Sequence, residues 1–150
     1  MVRRKIYGSI VAVLAITDKN EAVLITNYRI PIKRTVIELP IGLTDKKGEA
    51  DMAAAKRELL EETGYTARKF EKLLVGPFNP GLVSDHLVIY LARGARRVQK
   101  PEHENGEEIK VLTVPLKKIR RFLLHPPRGV LVDWKIFSAL YQLQKRGYDC

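Results

Sequence analysis

Arg57, Glu58, Glu61 and Glu62 crowd four charges into six residues. On a helix turning about 100° per residue, Glu58 and Glu62 lie about 40° apart, with Glu61 between Arg57 and Glu58. Three carboxylates therefore fan along one side, and Met52, Ala55 and Leu59 form an apolar strip beside them. Like charges three or four residues apart repel, so the arrangement costs helix stability unless a cation sits between them. Hard oxygen donors on a rigid helix suit Mg²⁺ or Mn²⁺. The same residues could also form a solvated acidic face, partly neutralised by an Arg57–Glu61 pair four residues apart.

The elements that must position these groups can be read from periodicity and turn chemistry. Ser9–Ile16 and Ala22–Tyr28 read as strands joined by the polar turn Thr17–Glu21. Thr35–Leu39 is a short strand stopped by Pro40, and Ile41–Gly48 is a loop with two glycines. The carboxylate helix runs from about Glu49 to Thr63 and is closed by Gly64, the residue type that ends helices in a left-handed turn. Phe70–Pro77 and Leu87–Ala92 are strands separated by the turn-rich Asn79-Pro80-Gly81, and Arg93–Gly106 is a polar loop. Glu108–Val114 is a further strand, Leu116–Leu124 a short helix, and His125-Pro126-Pro127 a break. Asp133–Lys145 is the final helix, with Ile136, Phe137, Leu140, Tyr141 and Leu143 in helical spacing and Asp133 near its start as a cap or first-turn acid. Mixed strands with helices at two places predict an α/β fold, a sheet covered on both sides.

Composition sets the outer bounds. The chain has 150 residues, enough for one domain with its own core, and no repeat or linker divides residues 1–150. Its only cysteine is Cys150, which excludes a Cys-rich zinc site and an internal disulfide and points to a reducing, cytoplasmic setting. Arg3-Arg4-Lys5 followed by the apolar Ile10–Ile16 resembles a secretory leader, but the polar turn and second apolar run fit a hairpin better. No window reaches the roughly 18 apolar residues that a membrane-spanning helix needs. The formal charge of +10, concentrated at Arg3–Lys5, Lys33-Arg34, Arg93–Lys100 and Lys117–Arg121, favours association with anions.

The order of residues around the helix narrows the chemistry. Glu49, seven residues, then Arg57-Glu58-Leu59-Leu60-Glu61-Glu62-Thr63-Gly64-Tyr65 resembles the Nudix box, and every fixed position in this stretch is met. The family places a glycine six positions before the first glutamate, where this chain has Leu43; the glycine is Gly42, so one residue is inserted within Leu43–Gly48. Asn27-Tyr28-Arg29-Ile30-Pro31, Glu38-Leu39-Pro40-Ile41-Gly42 and Pro80-Gly81-Leu82-Val83-Ser84-Asp85 resemble, within that family, the ADP-ribose pyrophosphatase group. A proline about fifteen residues beyond the box, the position of Pro80, accompanies ADP-ribose specificity in that group.

This resemblance implies a Nudix fold, an α/β/α sandwich around a mixed β-sheet, and metal-dependent hydrolysis of ADP-ribose to AMP and ribose 5-phosphate. It implies Glu58, Glu61, Glu62 and the Ile41 carbonyl as ligands for Mg²⁺ or Mn²⁺, and Arg57 as the residue that orients the carboxylates. Glu49 would hold the loop or the helix start near Arg57, away from the main metal pair. Arg29, Pro80, Gly81 and Ser84 would bind substrate. A glutamate on the late loop would be the general base, with Glu107 favoured and Glu104 next. The partner would be a small nucleoside diphosphate, with no membrane, and a homodimer is the assembly common in the group. Alternatives within the family are a nucleotide sugar, a dinucleoside polyphosphate, an oxidised nucleotide or capped RNA. Outside catalysis, a Nudix-fold nucleotide sensor or nucleic-acid-binding protein is the competing expectation. Such proteins usually lose box carboxylates, which are present here, and the chain has no aromatic-basic stacking motif.

Overall fold

The strand β1 (Ile10–Thr17) is buried along nearly its whole length, the mark of a strand with both faces covered. The computed structural model describes residues 9–103 and 106–150; Arg3–Lys5 and Glu104 lie outside the described residues. The tight turn after β1, with Asn20 in the left-handed region at φ 55°, returns the chain as β2 (Glu21–Arg29). The two strands pair antiparallel, so the expected hairpin is present. A single 3₁₀ turn (Ile30–Ile32) leads to β3 (Arg34–Glu38), β4 (Ile41–Leu43) and α1 (Asp51–Thr63). Then follow β5 (Tyr65–Thr66), β6 (Lys69–Pro77), β7 (His86–Arg97), β8 (Ile109–Pro115), α2 (Leu116–Leu124), β9 (Leu131–Val132) and α3 (Lys135–Lys145).

The strands lie in the order β5-β7-β1-β2-β3-β9, with β4 beside β1, β6 beside β7 and β8 beside β2. β1 runs parallel to β7, and β3 parallel to β9, while the other pairs are antiparallel. The sheet is therefore mixed. Alternation along β1 divides the interior. Ile10, Ala12, Leu14 and Ile16 face one core with Leu116, Ile119 and Leu123 of α2 and Ile136, Leu140 and Leu143 of α3. Val11, Val13 and Ala15 face the other, with Ala54, Ala55 and Leu59 of α1. Helices cover both faces, as expected of the α/β/α sandwich.

Several features differ from the sequence reading: α3 begins at Lys135 behind Trp134, so Asp133 stands before the helix and accepts the Lys135 N–H. α1 begins at Asp51 behind Ala50, so Glu49 stands in the entering loop rather than on the helix. Of the expected strip Ala55 and Leu59 are buried, with Ala54 and Thr63 beside them, whereas Met52 is exposed. Ile41–Leu43, expected as loop, pairs with Ile10–Ala12 as β4. β7 continues through Arg97 because β5 and β6 supply pairing partners that cationic composition alone does not reveal. The end of α1 matches: Gly64 at φ 74° closes it, its N–H donating to the Leu60 carbonyl.

Candidate active site

Helix α1 lies with its carboxylates toward β4 and the Glu49 loop. The Arg57 guanidinium holds this corner together: Nε and Nη2 donate to Glu49 at 2.8 and 3.1 Å, and Nη1 donates to Glu58 at 2.7 Å and Glu61 at 3.2 Å. Nη2 also donates to the Leu43 carbonyl at 3.2 Å. One cation thus clamps two box glutamates, the entering loop and the end of β4. Glu49 is placed as expected of it, on Arg57, and these hydrogen bonds lower its pKa. The same contacts raise that of Arg57, which stays charged throughout.

Glu58 and Glu62 experience a different field. Burial raises the pKa of Glu58, with the Arg57 charge and hydrogen bond opposing it. Glu62 is pushed up to about 8, first by burial, then by the charge of Glu58; the Ile41 amide opposes this and Glu107 and Glu38 add to it. Its Oε2 accepts the Ile41 N–H at 3.2 Å. No arginine or lysine pairs with Glu62 among the described residues. A buried carboxylate beside another, without its own counter-cation, is a site whose anionic form is stabilised by an incoming cation.

Gly42 explains why a glycine stands before the helix. A Cβ on it would lie 2.0 Å from Glu58 Cδ, so the backbone of β4 passes directly under that carboxyl. The residue inserted in Leu43–Gly48 falls after this contact, and the close approach is kept.

Arg29 turns inward at the end of β2, its Nε and Nη2 donating to Glu38 at 2.7 and 2.6 Å. Glu38 is only 5% exposed, whereas the Arg29 side chain is 43% exposed. Arg29 was expected from sequence as a substrate contact, whereas the role of Glu38 emerges from the structure. The register sets Arg29 opposite Arg34 and Glu38 opposite Ile25, so no cross-strand pairing signalled this contact in the sequence. Two donors of Arg29 are thereby committed and its remaining donors are open to an anion.

The segment after β7 is fastened to the end of α1. Val98 and Gln99 donate their N–H groups to the Gly64 carbonyl, Glu102 donates its N–H to the Glu61 carbonyl, and His103 Nε2 lies 3.1 Å from the Glu62 carbonyl oxygen. His103 was not anticipated; a lone histidine in a polar loop carries no spacing signal. Glu107 is exposed, and its charge acts on Glu62, which brings the favoured base candidate into the field of the carboxylates. Pro80, Gly81 and Ser84 stand on the β6–β7 loop, closed by the Phe78 N–H to the Asp85 carbonyl. Among the described residues no hydrogen bond joins these three to α1.

The donor set fits a hard divalent cation in kind: carboxylate oxygens from Glu58, Glu61 and Glu62 and a peptide from Ile41. Among the described residues no three acidic, histidine or cysteine side chains converge on one point, because Arg57 holds Glu58 and Glu61 while Glu62 turns to the Ile41 amide. The buried charge of Glu62 is the part of the arrangement that a cation would complete.

The model of the NUDIX domain matches residues 7–136. An ADP-ribose pyrophosphatase of Bacillus subtilis is 37% identical over 108 residues, covering 71% of this chain and 58% of that protein. An ADP-ribose pyrophosphatase of Mycobacterium tuberculosis is 33% identical over 124 residues, covering 82% of this chain and 58% of the relative. The chain thus spans somewhat over half the length of these relatives. A solved structure described as an ADP compounds hydrolase superposes with a TM-score of 0.79 at 24% identity, covering 95% of this chain and 74% of the other. At that identity the likeness concerns the fold.

Proposed function

Because the chain belongs to the Nudix family, we propose that it hydrolyses the diphosphate of a nucleoside diphosphate joined to a second moiety, with ADP-ribose, giving AMP and ribose 5-phosphate, as the preferred substrate. The observation that carries this reading is Glu62, a buried carboxylate beside Glu58 with no cationic partner among the described residues. A structural acid would be paired; one held ready for a metal would not. The names of two relatives support ADP-ribose, and the Pro80–Asp85 sequence supports it further.

In this proposal Glu58, Glu61, Glu62 and the Ile41 carbonyl would hold Mg²⁺ or Mn²⁺. When bound, the metal neutralises the diphosphate and lowers the pKa of water. Arg57 positions Glu58 and Glu61 through its hydrogen bonds and keeps the Glu49 loop against β4. Arg29, itself fixed by Glu38, offers its remaining donors to a phosphate oxygen. Glu107 accepts the proton of the attacking water, and the β6–β7 loop with Pro80, Gly81 and Ser84 borders the substrate beyond the diphosphate.

Residues 1–150 form, in this proposal, one Nudix domain, supported by a sheet whose two cores share β1. No helix among the described residues is long and apolar enough to cross a membrane. The unpaired Cys150 supports a reducing, cytoplasmic setting. A homodimer is part of the proposal, and sedimentation tests it.

The deciding experiment incubates the protein with ADP-ribose, nucleotide sugars, dinucleoside polyphosphates, an oxidised deoxynucleoside triphosphate and capped RNA, with Mg²⁺ or Mn²⁺. AMP and ribose 5-phosphate released fastest from ADP-ribose, and stopped by EDTA, is the expected outcome. Faster cleavage of another compound replaces the substrate while leaving the chemistry. No cleavage of any with either metal overturns the proposal and favours a nucleotide sensor.

A further inference from the structure

A cavity of about 530 Å³ opens between the end of β6, the turn that follows it and the start of α3. Its walls include Leu74, Phe78, Pro80, Leu87, Trp134 and Lys135. The volume falls within the range of small-molecule sites, and a mainly apolar lining with a few polar groups is their usual make-up.

Trp134 is the residue that packing does not explain. It is the only tryptophan in the chain, yet it is 66% exposed at the cavity mouth, immediately before α3. Its neighbour Lys135 is held rather than free: the ammonium lies 2.9 Å from Asp133 Oδ2, 5.1 Å from the centre of the Phe78 ring and 5.5 Å from that of Trp134. Two aromatic rings and one ammonium are thus set together at a single opening.

The start of α3 lies within electrostatic reach of the arginine beside the carboxylate site, since the charges of Glu62 and Asp133 both act on Arg29. The Asp133 N–H donates to the Ile37 carbonyl, one residue from Glu38, and the Asp133 charge acts on Arg29. Pro80, expected from sequence to meet substrate, forms another part of the wall. A molecule whose diphosphate lies at Arg29 therefore has the start of α3, which carries Trp134 and Lys135 of the cavity wall, within its reach. A sugar or a second phosphate would need several donors and acceptors, which a mainly apolar wall does not supply. A planar heteroaromatic ring needs a face to stack on and one or two polar contacts.

We infer that this cavity receives the purine base of the substrate, stacked on Trp134, with the Lys135 ammonium directed at a ring nitrogen and Phe78 closing the far side. This inference rests on the nucleotide-hydrolase reading and adds the position of its base. It assigns Trp134 as a specificity residue, away from the reacting phosphorus.

Because Trp134 is the sole tryptophan, its emission reports on this opening alone. In EDTA, where turnover is stopped, AMP and ADP-ribose are expected to change the emission in a saturable way, and ribose 5-phosphate is not. With metal, Trp134→Ala should raise KM for ADP-ribose about tenfold and leave kcat within about twofold, with Trp134→Phe recovering much of the loss. Ser138→Phe, which fills the cavity from α3, should raise KM likewise while Trp134 remains in place. Emission that ignores AMP, with KM within twofold of the parent in both Trp134→Ala and Ser138→Phe, overturns the inference while leaving hydrolysis intact. Emission that changes on dilution of the protein and not with AMP also overturns it, and marks the surface as a contact between copies. If no diphosphate is hydrolysed, the functional reading falls separately, and the AMP titration alone decides the cavity.

Discussion

Replacing Glu62 by glutamine removes a carboxylate that the fold holds at some cost, and the direction of that cost can be worked out. The folded pKa is about 8 against an ordinary value of 4.5. Between those values the folded protein keeps a proton that the unfolded chain has released, so stability falls as pH rises through that window. Calorimetry in EDTA should therefore show the parent losing stability from pH 5 to 8. Glu62→Gln should lose less and melt several degrees higher at pH 8. Its turnover with metal should fall by a factor on the order of 10³. Equal pH dependence in the two proteins would falsify the burial account, and near-normal turnover in a folded Glu62→Gln protein would remove Glu62 from the metal set. Glu107→Gln tests another role. As the proton acceptor it should lower kcat by about 10² to 10⁴ with KM little changed. A rise in KM alone would make it a substrate contact.

The seams around α1 depend on two glycines, and they were legible to different degrees. Gly64 was readable because a helix stop has a local signature, and the structure adds a second constraint: a Cβ there would lie 2.1 Å from the Gln99 carbonyl oxygen at φ 74°. Gly64→Ala should cost about 2 kcal/mol or more, seen as a fall in the melting temperature, and loosen the segment tied to the Gly64 carbonyl. An unchanged melting temperature would mean that segment shifts freely. The importance of Gly42 depends on the approach of β4 to Glu58, a tertiary contact, so spacing located the glycine without its reason. Gly42→Ala should lower kcat at least tenfold, with a smaller melting shift than Gly64→Ala, because the group it meets is a side chain. Equal turnover would show that the Glu58 carboxyl can move aside at no cost. The buried stripe of α1 was partly legible, with Ala55 and Leu59 buried as expected and Met52 exposed. Where α1 starts is decided by Arg57 drawing Glu49 into the loop, and which stripe is buried is decided by β1, β2 and β7. The Arg29–Glu38 pair joins residues that the strand register does not set opposite each other, and His103 needed the return of a loop to the end of α1.

Over the whole molecule, a net charge of +10 surrounds a site whose own side chains are largely acidic, so the origin of attraction for an anionic substrate can be separated by distance. Lys117, Lys118 and Arg121 are exposed on α2, and α2 packs on the opposite face of the sheet from α1. Screening extends over about 8 Å at physiological ionic strength and about 30 Å at 0.01 M. At 0.15 M the α2 charges are therefore hidden from a substrate approaching Arg29 and α1, whereas at 0.01 M they contribute to the field that guides it. Lys117→Glu combined with Arg121→Glu should leave kcat/KM within about twofold of the parent at 0.15 M and lower it severalfold at 0.01 M, with kcat at saturation unchanged. Both side chains are exposed and unpaired among the described residues, so the double variant should fold normally. A large loss persisting at 0.15 M would mean that α2 touches the substrate, which would put capped RNA, long enough to reach around the sheet, ahead of a small nucleotide. No loss at either salt would assign the steering to basic groups nearer the carboxylates, Lys33 and Arg34 first among them, and leave the α2 charges to solubility.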